Sequence, residues 1–401
     1  MSEPPKGRAL WARVLIAAAA VPAAWTLAGG SFAAAAGKPD AFAWTEVSPR
    51  AGGPKGAVQL QSGEVLAART QWRSNAPAIV CTRSADCGTN WAELSVIATG
   101  APGDDIGDGQ LMQLPAGPLL FAYRHNWRPG QRDGRRRYAI KTAISEDAGK
   151  TWQPHSTVVE SSHDAATEPE ALRGLWSSFL LLRRDGTLQC YFDDEDTPHR
   201  EGWFRNQWVT MKTWDPKSEC WDRPVTVSRA RDGSHLSRDG MASVVELPSE
   251  RLLCALESVQ TAAPHANCIR LVTSDDGGQT WSWRREERQI LFQSSRTNYL
   301  SISPWLTRLP DGKLLCVFAT DENHAVPGKP GTHASQLNLD LKYVMSMDDG
   351  RTWQRDARVI HAGTHRTYIP GLLPLRDGSL LVTCEDFSTS GYRAFRGKPA
   401  P

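Results

Sequence analysis

Ser274-Asp275-Asp276-Gly277-Gly278-Gln279-Thr280-Trp281 is one copy of a turn that the chain repeats. Ser145 through Trp152 and Ser346 through Trp353 are full copies, Ser84 through Trp91 keeps the Ser, Asp, Gly and Trp, and Thr213 through Trp221 is a worn copy. Each residue type has a physical task. The Asp carboxylate accepts from turn amides, the Gly supplies a positive φ, and the Trp packs beside the hairpin. The repetition explains why 16 Trp stand beside only 10 Phe and 7 Tyr.

A second repeat runs in phase with the first: apolar run, tight turn, apolar run. Its anchoring leucines are Leu60, Leu114, Leu182, Leu247, Leu309 and Leu375, 54 to 68 residues apart, and Asp-Gly turns follow at Asp185-Gly186, Asp311-Gly312 and Asp377-Gly378. Six such units fill the chain, and a period of this length indicates a repeat architecture. Only five units carry the Trp turn or its worn form. The sixth therefore lacks an outer strand, and the alternating segment Ala41 to Val47 is its natural donor.

Hydrophobic residues at 40% and charged residues at 22% of 401 positions are those of a globular protein. Lys+Arg 46 against Asp+Glu 44 gives a net charge of +2, too balanced for a protein that grips nucleic acid through phosphates. Lys6, Arg8 and Arg13, the apolar run Val14–Ala28 and the small residues Ala33–Ala36 have the order of a secretory signal peptide. The expected division is a signal peptide over 1–36 and one domain over 37–401, secreted or periplasmic, monomeric and without a membrane span after cleavage. Eight Cys are too few to frame the fold. Cys190, Cys254 and Cys316 lie in apolar runs and read as buried thiols, while Cys81/Cys87 and Cys254/Cys268 are close enough for local bridges. The acidic run Asp193-Asp194-Glu195-Asp196 reads as a solvated loop rather than a calcium site, and neither metal nor cofactor is expected.

The Ser-x-Asp-x-Gly-x-Thr-Trp turn resembles the Asp box of the sialidase superfamily, and the resemblance covers roughly residues 41–395. It implies an all-β, six-bladed β-propeller of four-stranded antiparallel blades, its ring closed by the N-terminal strand. In that topology the Asp boxes lie on one face, with a structural task. Chemistry belongs to the other face, where first strands begin and second strands end. Counting seven residues back from each anchoring leucine gives Gly53, Gly107, Leu175, Gly240, Ile302 and Tyr368, with Asp108, Trp176, Ser177, Asp239 and Tyr299 nearby. Counting ten forward gives Thr70, Arg124, Phe192, Glu257, Ala319 and Glu385, with Arg69, Asp193 and Asp194 beside them. Carboxylates with an aromatic platform suit sugar binding and glycosidic cleavage.

Sialidases use a Tyr nucleophile, and the segment from Tyr368 to Glu385 resembles the blade that bears it. The resemblance gives Tyr368 that role, with Glu257 as proton acceptor and Asp239 or Asp108 as acid; Trp176, Ser177, Arg238, Arg69, Arg124, Tyr299 and Glu385 are expected to bind substrate. The three-Arg clamp of sialidases is not matched, because Gly53-Pro54-Lys55 occupies the first Arg position and Glu257 the second. A Glu there repels a substrate carboxylate, so a neutral sugar fits better than sialic acid. Leu175-Trp176-Ser177 and Ser237-Arg238-Asp239-Gly240-Met241 are similar to the exo-arabinanase branch of the superfamily, in which a catalytic Glu follows the Leu-Trp pair. Here Ser177 stands there, so Asp108, Asp193 or Asp239 would have to take the acid/base role; a serine is also what a sugar-binding propeller that has lost catalysis would show. The expected partner is thus a glycan, cleaved from its end by an exo-acting glycoside hydrolase or held by a lectin-like relative.

Overall fold

The computed structural model describes residues 41–115, 117–127, 134–164, 167, 173–231, 236–260, 267–284, 288–294, 299–324, 338–363, 367–386 and 391–400, without the side chains of Asp108, Gln260 and Asn267. The expected signal peptide over 1–36 lies outside the described residues. Six antiparallel sheets follow one another along the chain. Blade 1 is β2 (Val58–Gln59), β3 (Val65–Arg73), β4 (Ala76–Ser84) and β5 (Ala92–Thr99); blade 2 is β6 (Asp105–Gln113), β7 (Leu119–Asn126), β8 (Arg135–Ser145) and β9 (Gln153–Asp164). Blade 3 begins with β10 (Leu175–Leu182), β11 (Leu188–Asp194) and, after the short helix α1 (Asp196–Arg200), β12 (Trp208–Asp215). Both β13 (Cys220–Trp221) and β14 (Val225–Ser228) pair with β12, so the worn Asp box makes a five-stranded blade. Blade 4 is β15 (Ser237–Glu246), β16 (Leu252–Gln260), β17 (Asn267–Ser274) and β18 (Gln289–Phe292). Blade 5 is β19 (Ser301–Arg308), β20 (Leu314–Thr320), β21 (Asp340–Ser346) and β22 (Arg358–His361).

Blade 6 closes the ring. Its own strands β23 (Thr367–Pro374), β24 (Leu380–Asp386) and β25 (Gly391–Pro399) are completed by β1 (Phe42–Ser48), antiparallel to β25 from Phe42↔Pro399 to Ser48↔Ala394. Phe42 and Trp44 lie 6.2 and 5.9 Å, ring to ring, from Tyr343 of blade 5. Glu46 takes both arms of Arg393, at 2.9 and 2.6 Å.

The inner strands read as unbroken apolar runs because neighbouring blades cover both their faces. Leu314–Thr320 is buried at every position. The largest core cluster crosses four blades through Tyr191, Val209, Val272, Trp305, Tyr343 and Phe395. All eight cysteines are free. Cys254 pairs with Val272 whereas Cys268 pairs with Ser258, so four residues of strand, about 13 Å, keep these two apart.

Each Asp box ties its own hairpin and plugs the preceding blade. In the blade 4 copy, Asp276 Oδ1 accepts from Thr280 N–H at 2.9 Å and Trp281 Nε1 donates to Gly278 O at 3.0 Å. A Cβ at Gly278, whose φ is +95°, would come within 2.9 Å of Met211 in blade 3, so this position needs Gly for its backbone and for its space.

Candidate active site

On the face opposite the Asp boxes, the innermost strands do not run straight to their ends. Register shifts interrupt β6 at Gly107/Gln110, β10 at Trp176/Ser178, β15 at Gly240/Ser243, β19 at Ile302/Trp305 and β23 at Tyr368/Gly371. These bulges set Met241, Ser303 and Ile369 at φ of 51°, 55° and 51°. A bulge re-aims side chains, and a non-Gly residue held at positive φ costs about 1–3 kcal/mol that the surrounding packing must offset. The bulges converge on a narrow cavity at the axis, lined by Lys55, Met241, Ser303, Trp305, Ile369 and Pro370 among others.

The second strands deliver the charged groups. Asp193, at the end of β11, is 3% exposed and accepts the Met241 N–H of blade 4 at 2.8 Å. Glu257, near the end of β16, is partly exposed and its Oε2 accepts the Ser303 N–H of blade 5 at 2.7 Å. Each carboxylate thus caps the strained bulge of the next blade. Burial, and then the neighbouring Glu257 charge, holds the Asp193 carboxyl well above the usual range. Burial also raises Glu257, against the Ser303 hydrogen bond and the positive charges of Arg238 and Lys55. Gly240 makes room for this pairing, since a Cβ there would meet Asp193 Oδ2 at 2.8 Å and Gln207 Nε2 at 2.4 Å.

Tyr368, on β23, directly precedes the cavity-lining Ile369 and Pro370. Its hydroxyl lies 3.6 Å from Met241 Sδ, which also receives the Ser303 hydroxyl at 3.1 Å. Glu385 is its register partner on β24. Arg124 of blade 2 reaches toward blade 3, with its guanidinium 5.6 Å from the Trp176 ring and a bidentate grip on Asp105. Ser177, beside Trp176 at the bulge, is buried.

Other expected residues go elsewhere. Asp239 is 0% exposed, accepting from Ser237 at 2.7 Å, Ser258 at 3.1 Å, Ser228 at 2.7 Å and also Arg288. With both oxygens taken by neighbours, it joins blades 3 and 4 rather than meeting a ligand. Arg238 is tied to Glu195 at 2.5 Å and Gln207 at 2.7 Å. Arg69 leans on the Ala51 carbonyl at 3.5 Å, and Tyr299 is buried. Asp108 lies in β6, but its side chain is outside the described residues.

The run 193–196 is not the solvated loop expected from its charge. All four side chains are buried. Asp194 Oδ1 accepts the N–H groups of Asp196 and Thr197 at the start of α1, both at 2.9 Å, Glu195 takes the Gly174 N–H at 2.9 Å, and Asp196 binds Arg173 at 2.6 Å. No group of three or more metal-ligating side chains occurs among the described residues.

No family model matches the chain and no curated protein does so. Solved structures do. An α-L-arabinanase from Penicillium chrysogenum complexed with arabinobiose superposes with a TM-score of 0.62 at 20% identity, covering 88% of this chain and 94% of the other. An α-L-arabinofuranosidase from Fusarium graminearum gives 0.62 at 17% identity, covering 90% and 98%. A leech intramolecular trans-sialidase gives 0.54 at 14% identity, covering 88% and 68%. This chain therefore has the six-bladed propeller fold shared by arabinanases and sialidases.

Proposed function

We propose that the protein is an exo-acting glycoside hydrolase whose reaction takes place at the axial cavity. The observation that carries this reading is the meeting of Asp193 and Glu257, two carboxyl groups from adjacent blades, both held above their ordinary values and both fixed by a backbone N–H. Two carboxyl groups whose surroundings separate their affinities for a proton form an acid and a base. Asp193, the more enclosed, is the acid and protonates the leaving glycosidic oxygen. Glu257 is the base and removes the phenolic proton as Tyr368 attacks the anomeric carbon, because a phenol of pKa about 10 needs such help at neutral pH. Water then displaces the tyrosine, returning the sugar with its proton inventory restored. Arabinose-bound relatives of the same fold and the absence of a sialidase-like Arg at Lys55 and Glu257 support a neutral sugar over sialic acid. The sequence of residues 1–36 supports export by a cleaved signal peptide.

Ser177 favours a second reading, a sugar-binding propeller without catalysis. A panel of chromogenic glycosides, α-L-arabinofuranosides included, decides between them. The hydrolase reading expects turnover by the wild type, a fall of about 10²–10⁴-fold in kcat in Asp193→Asn and Glu257→Gln, and a comparable loss in Tyr368→Phe. Binding of sugars with no turnover of any of them supports the lectin instead.

A further inference from the structure

The steps above leave Lys55 without a task, although it lines the cavity and is only 7% exposed. Its backbone is fixed from two sides. Leu111 N–H of blade 2 donates to Gly56 O at 3.2 Å, and on the blade 6 side a Cβ at Gly371 would come within 2.4 Å of Lys55 Cα. The side chain is therefore rooted on the cavity wall it shares with Met241 and Ser303, whose N–H groups hold Asp193 and Glu257. Among the described residues no carboxylate oxygen lies within 4.0 Å of the ammonium, so it is not spent in an ordinary ion pair. The charged groups that act on it come from three blades: Asp193 and Glu257, which favour its charge, and Arg124, which opposes it. Met241 and Ser303 offer neutral surfaces, and the Tyr368 hydroxyl reaches Met241 Sδ. Burial outweighs the carboxylates and pulls the lysine down to about 8.

We propose that Lys55 is a positioning residue that sets the charge of the Asp193–Glu257 pair, keeping Glu257 ionised while a single proton stays on Asp193. Two close carboxyl groups in a dry site resist double ionisation, and titrate as a pair. An ammonium beside them allows one of them to ionise. Glu257 is the one, because it is partly exposed, whereas Asp193 is enclosed and feels the Glu257 charge; Lys55 and Arg238 act on both. The catalytic meaning of this arrangement rests on the hydrolase reading; the charge coupling itself does not.

The test is an NMR titration of the intact protein labelled at the lysine Nζ and the Asp and Glu carboxyl carbons, with thermal melts to confirm that each variant is folded. Lys55 is expected to titrate near 8 in the wild type. Glu257→Gln removes a charge, and should lower that value by about 0.5–1 unit. In Lys55→Met the Glu257 midpoint should rise by about one unit, and Lys55→Arg should restore it. A Lys55 titration unmoved by Glu257→Gln, or a Glu257 midpoint indifferent to Lys55→Met, overturns the proposal. Activity assays separate the two claims. If no glycoside is cleaved while the titrations couple as stated, the hydrolase reading fails and the charge-setting role stands. If cleavage occurs with no coupling, the reverse holds.

Discussion

Asp193 and Asp239 have the same side chain and opposite fates, decided by what surrounds them. Asp239 is met by three hydroxyls and a guanidinium, so its charge is compensated within the fold. Asp193 receives one backbone N–H and is enclosed beside another carboxylate, so burial and that charge raise its affinity for a proton. A carboxyl whose folded pKa lies above its unfolded value of about 3.9 adds stability below that value and loses the contribution as pH rises through the folded pKa. Asp193→Asn keeps the acceptor for Met241 but removes the ionisation, so its melting temperature should exceed that of the wild type at pH 7 and the gap should shrink toward pH 4. Equal gaps at both pH values would mean that Asp193 carries no raised proton affinity. The sequence came within one residue of this group. In blades 5 and 6 the turn N–H of Gly312 or Gly378 donates to the leucine carbonyl itself, Leu309 or Leu375, but in blade 3 Gly186 N–H donates to Arg183 O, one place after Leu182. Counting from Leu182 lands on Phe192, whereas counting from the turn lands on Asp193, and likewise on Trp176 instead of Leu175.

At the level of strands and turns, the fold is legible where a local motif dictates it. The Asp boxes specify their hairpins through residues only a few places apart, as Asp348 does with Thr352 N–H at 2.9 Å and its hydroxyl at 2.6 Å. The Thr352 side-chain hydrogen bond, followed by the backbone one, holds Asp348 down at about 2. A depressed carboxylate contributes stability that is present above the unfolded pKa and is lost as pH falls from about 4 to about 2. Denaturant midpoints measured across that window should fall less steeply in Asp348→Asn than in the wild type, and parallel curves would contradict the assignment. The bulges had a weaker signal, Pro304 and Pro370 in innermost strands that are each an edge of their sheet, since a residue without an N–H is confined to sheet edges and bulges. Their positive φ values, and the N–H groups they turn toward Asp193 and Glu257, arise from contacts between blades more than 40 residues apart in sequence and have no local signature.

For the whole molecule, the closed ring is what makes a site from scattered positions. Thr70, Arg124, Asp193, Glu257, Ala319 and Glu385 occupy matching places on six second strands, and only closure brings them around one axis. The strand Phe42–Ser48 supplies that closure. Removing residues 41–48 leaves β25 as an open, unpaired edge, so the shortened protein should melt well below the full domain and associate through that edge, a change read by calorimetry and light scattering. An unchanged melt would show that blade 6 is stable with three strands. The six units and their closing strand could be read from the sequence because repetition exposes them; the sugar, and which carboxyl group holds the proton, could not, since both depend on distances across the axis. The most direct measurement is therefore a crystal structure of Glu257→Gln with an oligosaccharide that the wild type cleaves. The account predicts the terminal sugar at the axial cavity, its glycosidic oxygen within about 3 Å of Asp193 and its anomeric carbon facing the Tyr368 hydroxyl. A sugar seated away from the axis, or one whose scissile bond is beyond hydrogen-bond reach of Asp193 and turned from Tyr368, would contradict it.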